Sequence, residues 1–152
     1  MRVLRAAALV VALVLGALGS RVYNWAAPAD VPRVGEDGCV VGDPMRGVYI
    51  APRLNIRGRC VTATGTVHDL AFAEDGDVTF DLSLDPGQGY LVNEVNVRTK
   101  HGRLHLEIIP LDRGRLSLPR EGEHIVATGV WVEDLAHGGH LELHPVTAIA
   151  IR

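Results

Sequence analysis

Apolar and polar residues alternate most cleanly at "DVTFDLSLD" (77–85). Val78, Phe80, Leu82 and Leu84 fall on one side, and Asp77, Thr79, Asp81, Ser83 and Asp85 on the other. Successive side chains of a strand point to opposite faces, so this period predicts a strand with one face in a core. The same period recurs in "VTATGTVHD" (61–69), "LHLEIIP" (104–110), "HIVATGVWVEDL" (124–135) and "HLELHPVTAIAIR" (140–152). In the second of these, Leu104, Leu106 and Ile108 are predicted inward and His105 and Glu107 outward. Turn-forming clusters separate the segments: "AEDG" (73–76), "PGQG" (86–89), "RTKHGR" (98–103), the loop 111–123 and "HGG" (137–139). "YLVNEVNV" (90–97) reads equally as a strand or a short helix, and nothing in 61–152 has the period of a long amphipathic helix.

Five or six strands in so short a span predict an all-β domain. Gly65 and Gly129 lie inside the first and penultimate strands. Glycines there permit the coiling that closes a small barrel. An OB-like barrel, a five-stranded Greek-key architecture, fits the order of elements, with a β-sandwich as the alternative. Upstream of 61 the pattern dissolves. Residues 39–60 are rich in Gly and Pro and read as an irregular lead-in, and 21–38 read as a linker. Residues 1–20 begin with Arg2 and Arg5, continue as an unbroken apolar run over 6–18, and end in small residues before Ser20. That is the pattern of a secretory signal. The run falls short of the roughly 20 residues that span a bilayer, although Tyr23 and Trp25 would suit the interface if it stayed as an anchor. The expected location is therefore periplasmic or extracellular, with membrane attachment through this segment if it is not cleaved.

Export changes the meaning of the two cysteines. Cys39 and Cys60 are an even pair without C-x-x-C spacing, and in an oxidising compartment they are expected to form a disulfide pinning the lead-in. Net charge is −3 and aromatics make up 5% of the chain. Nucleic-acid binding requires positive charge and, for single strands, stacking platforms, so this composition argues against it.

The candidate chemistry gathers at "AHGGHLELHPV" (136–146). Alternation places His140, Glu142 and His144 on one face of the last strand. Residues i and i+2 are about 7 Å apart and can converge on one ion, whereas i and i+4 are about 13 Å apart and cannot. A metal site here, zinc or another divalent ion, must be completed by Asp134, His137 or a neighbouring strand. On an ordinary solvated sheet face the same residues would be unremarked, with Asp134 closing the turn. A second polar set, Asp77, Asp81 and Glu107, would lie on the second and third strands, where an OB barrel holds its ligand. On the sequence that face is acidic, and a solvated face is its ordinary reading. No G-x-S-x-G, P-loop, H-E-x-x-H or C-x-x-C motif is present, and no residue is assigned a catalytic role.

The segments "EDGDVTFDL" (74–82), "LHLEIIPLDRG" (104–114) and "GVWVEDLAHGGHLELHPV" (129–146) together resemble an uncharacterised family of bacterial exported small β-barrel domains. Those end in a D-x-x-H-x4-E-x-H-P string, matched here by Asp134, His137, Glu142, His144 and Pro145. The resemblance spans most of 61–152 and implies an exported barrel without implying a reaction. Where an aromatic commonly precedes the final strand, this chain has Gly139 and His140. The reading that follows is an exported OB-like module that binds a small ligand or docks on an envelope protein. The alternative is a small metal-dependent hydrolase using the Asp134–His144 segment.

Overall fold

The computed structural model describes residues 33–152. The signal or anchor read at 1–20 and the first part of the linker lie outside the described residues. Two short strands, β1 (Arg33–Val34) and β2 (Val40–Val41), pair with each other. Five further strands follow: β3 (Leu54–Phe72), β4 (Val78–Leu84), β5 (Leu104–Ile108), β6 (His124–Asp134) and β7 (His140–Ile151). Their order is β3-β4-β5-β7-β6, and β6 returns to pair with β3, so the ladder closes. All pairs are antiparallel except β5 with β7.

Closure depends on the two strand glycines. Gly65 pairs with Leu84 on β4 and Ile125 on β6 at once, and a Cβ there would collide with the Ser83 carbonyl. At Gly129 a Cβ would come within 2.6 Å of the Pro145 carbonyl oxygen. Both are close backbone approaches that only glycine tolerates. The apolar halves of the alternating strands meet inside, where Val67, Val78, Phe80, Leu82, Leu104, Leu106, Ile108, Ile125 and Leu143 are fully buried.

Two segments depart from the pattern. The ambiguous "YLVNEVNV" becomes a helical turn and α1 (Glu94–Thr99). Asn93 decides this: its side chain accepts from the N–H groups of Val95 and Asn96, and Asn96 returns the bond to the Asn93 N–H. A second short helix, α2 (Pro110–Arg113), forms within the loop after β5.

The other departure is at the start of the barrel. β3 begins at Leu54, inside the segment read as irregular lead-in, and its first half pairs only with β6. Register shifts between Ile56 and Gly58, and again before Val61, erase the alternation there. The rest of the lead-in is a strap laid over the outside of the barrel. Thr147 donates to the Gly38 carbonyl at 2.6 Å. Met45 and Val48 pack on Leu54, Val130 and Val132. Gly47 sits against Leu111 of α2. The Cys39–Cys60 disulfide ties the strap to β3, with the Cα atoms 5.3 Å apart. Closing that loop stabilises the fold by about 3 kcal/mol in the chain-entropy model. The bridge is compatible with an exported protein.

Candidate functional site

The polar halves of β4, β5 and β7 do not face water. Asp77, Asp81, His105, Glu107, His140, Glu142 and His144 are all buried, with Glu142 and His144 at 0% exposure. The expectation of a solvated face fails because chain from elsewhere lies against its edges. Arg53, at the end of the strap, reaches Asp134 at 2.9 Å and Glu107 at 3.9 Å. On the other side α1 is fastened to β7 by Asn96, whose amide donates to the Leu141 carbonyl and whose oxygen accepts from the Leu141 N–H, both at 2.8 Å.

Strand register makes this buried face workable. β5 carries His105-x-Glu107, and β7 carries His140-x-Glu142-x-His144. The parallel pairing sets His105 beside Glu142, which brings Glu107 level with His144. On the other side, Asp81 pairs with His105 and Thr79 with Glu107. Imidazoles and carboxylates therefore alternate in two directions. His105 Nδ1 lies 2.6 Å from Asp81, and its Nε2 lies 3.2 Å from Glu107. His144 Nδ1 lies 2.8 Å from Glu107 Oε2 and 3.1 Å from Glu142 Oε1. His140 Nε2 lies 2.8 Å from Glu142 Oε2. A buried ionisable group is tolerated when it is paired and hydrogen-bonded in this way.

The network sets protonation. Burial alone disfavours the cation of His105, but its bonds to Asp81 and Glu107 outweigh burial and raise its pKa to about 9. His144 rises to about 9 for the same reason, through Glu107 and Glu142. Burial disfavours the charged form of both glutamates, but the imidazole bonds prevail. Glu142 is lowered to about 2, and Glu107 is held well below the usual carboxylate range. Asp77 goes the other way, raised to about 6 chiefly by burial.

The five residues of the Asp134–His144 segment separate into two groups. Asp134, fully buried, accepts from the Ala136 and His137 N–H groups and lies 2.8 Å from His137 Nδ1, so it holds the turn. The His137 side chain is 63% exposed. Glu142 and His144 join the buried network, and His140 stands at its edge, with its ring centroid 5.5 Å from that of His105. Neither Asp134 nor His137 completes a ligand set with them. The partners are Glu107 and His105 from β5 and Asp77 from the position just before β4; Glu107 and Asp77 are named on the sequence as ligand residues. Asp81, the third of that set, lies under the Lys100 ammonium, 3.9 Å away.

Beside the network opens a cleft of about 350 Å³, lined by Thr79, Thr99, Lys100, His105, Glu107, His137 and His140. Lys100, His105 and Thr99 were not singled out on the sequence. The repeated His-x-Glu on two strands was a usable signal for His105. Lys100 and Thr99 gave none, because α1 is placed by side-chain bonds to β7 that no local pattern encodes. No protein-family model matches this sequence, and no curated protein matches it either.

Proposed function

We propose that this chain is an exported OB-like binding module of the cell envelope, and that it takes a small acidic solute in the cleft between α1 and the β4–β5–β7 face. The strand order supports the OB-like reading: five strands, with the third and fifth parallel and the fourth returning to the first. The cleft lies over the second and third barrel strands and the last hairpin loop, where OB barrels carry ligands. The observation that carries the ligand class is the pair of cations on its wall. The Lys100 ammonium and an imidazolium at His105 line the cleft beside the Glu107 carboxylate and the Thr79 and Thr99 hydroxyls, with Asp81 beneath both cations at 3.9 and 2.6 Å. Such a wall offers charge-assisted donors to a carboxylate or phosphate group. The face is thus of mixed charge rather than acidic.

The alternative of a metal-dependent hydrolase is weaker on the same geometry. A catalytic ion needs an open position that substrate can reach, and Glu142 and His144 are fully buried. The test is a thermal-shift series of the mature protein with acetate, citrate, inorganic phosphate and phosphate monoesters. At least one acid is expected to raise the melting temperature, and Lys100→Ala to remove the rise. No response to any acid, or an unchanged response in Lys100→Ala, overturns the ligand assignment. Expression of the full chain in a secreting host, followed by N-terminal sequencing and thiol titration, tests export and the disulfide. Cytoplasmic retention with two titratable thiols overturns that part.

A further inference from the structure

We propose that Asp77, Glu107 and His144 form a divalent-cation site of zinc type beneath the cleft, with Glu107 shared between this site and the cleft wall. The three residues come from the position just before β4, from β5 and from β7. One donor atom of each lies within 4.8 Å of the others. Asp77 and His144 are 2% and 0% exposed.

Two atoms in this group lack a hydrogen-bond partner, Asp77 Oδ2 and His144 Nε2, and they face each other 3.6 Å apart. That separation is beyond the 2.7–3.2 Å or so of a hydrogen bond. It is close to the edge of a tetrahedron around zinc, about 3.3 Å for bonds of about 2.0–2.1 Å. Unpaired polar atoms in so closed a place carry a desolvation cost that a bound ion removes.

The other ring nitrogen of His144 is already oriented. Its Nδ1 lies 3.1 Å from Glu142 Oε1, the outer-shell carboxylate that metal-bound histidines characteristically have. Glu142 keeps hold of the ring when Glu107 turns an oxygen toward the ion, and a second carboxylate oxygen or a water fills the remaining position. Three carboxylates, Asp77, Glu107 and Glu142, crowd this point, so a dication offsets charge that the imidazoles must otherwise balance. Because Asp77 and His144 are closed to solvent, the ion is acquired during folding and ties β5 and β7 to the chain entering β4.

The experiment uses the full chain without a polyhistidine tag, unfolded and refolded with and without excess Zn²⁺, then desalted for elemental analysis and melting. One zinc per chain is expected, with a melting temperature raised by roughly 10 °C. Asp77→Asn and His144→Gln are expected to lose the zinc, and the exposed His137→Ala to keep it. Less than about a tenth of an equivalent after refolding overturns the proposal. So does zinc retained in Asp77→Asn, or Ca²⁺ or Mg²⁺ bound in preference. If His144→Gln does not fold, the wild-type stoichiometry and Asp77→Asn decide. Zinc content unchanged in Lys100→Ala separates this site from the cleft, so failure of acid binding and failure of zinc binding are read independently.

Discussion

The two faces of the β4–β5–β7 sheet are buried to similar depth by opposite means. Inside the barrel, Val78, Phe80, Leu82, Leu104, Leu106, Ile108 and Leu143 are removed from water by contact with one another. Outside, Asp77, Asp81, His105, Glu107, Glu142 and His144 are removed from water while paired in an alternating acid and imidazole array. The inner face is non-directional and depends on volume. The outer face depends on which group stands beside which, so it tolerates no change of charge even where shape is kept.

The largest expected effects come from deletion and should be alike on both faces. Glu107→Ala leaves His105 and His144 without their shared carboxylate and is expected to cost about 4 kcal/mol in urea unfolding. Phe80→Ala, through a cavity, is expected to cost about 4 kcal/mol as well. A loss below about 1 kcal/mol for Glu107→Ala would show that the outer array is not a load on the fold.

The faces should part when pH is varied in chelator-treated protein. His105 is raised in the folded state from 6.5 to about 9. Its stabilisation is therefore complete below pH 6.5 and is lost as pH rises toward 9, on the order of 3 kcal/mol. Glu142, lowered from 4.5 to about 2, contributes stability that is present above pH 4.5 and lost as pH falls toward 2. Urea midpoints across that range should fall at both ends in wild type. The alkaline fall should shrink by about half in His105→Gln, because His144 is raised to about 9 as well, and persist in full in Leu106→Met. A profile in His105→Gln that matches wild type removes the basis of the comparison.

Shape-conserving exchanges should separate the faces again, by a smaller amount. Leu106→Met keeps volume and is expected to cost about 1 kcal/mol, whereas Glu107→Gln is expected to cost about 2 kcal/mol because the amide places a donor against an imidazole N–H. Equal costs in the same denaturant series would contradict the distinction. The smallest effect belongs to His137→Ala. Its side chain is 63% exposed, and its loss is expected to change stability by about 0.5 kcal/mol or less. A larger loss would extend the network into the turn.

Much of the barrel was readable from local pattern, for a physical reason. β4, β5 and the first half of β7 each have one apolar and one polar face, so alternation located them, and His137–Gly139 marked the last hairpin. The first half of β3 was not readable. It is bulged, largely exposed and held by β6 alone, so neither face needs to be apolar. In the candidate site, alternation grouped His140, Glu142 and His144 on one face and strand spacing required completion from elsewhere. The completing residues were then set by a parallel register between β5 and β7 that no turn or spacing specifies.

By itself, the sequence determined which side chains share a strand face, where the chain turns, and that Cys39 and Cys60 are available to one another. These are consequences of a two-residue period, of backbone preferences and of cysteine count. Only the tertiary structure decided that the polar face is covered. Alternation distinguishes two faces but not which of them meets water, and the cover comes from Arg53 and from α1, which is fastened to β7 from 45 residues away. The same burial turns a row of ordinary surface residues into paired ions with displaced pKa values, because only out of water do their neighbours dominate their solvation.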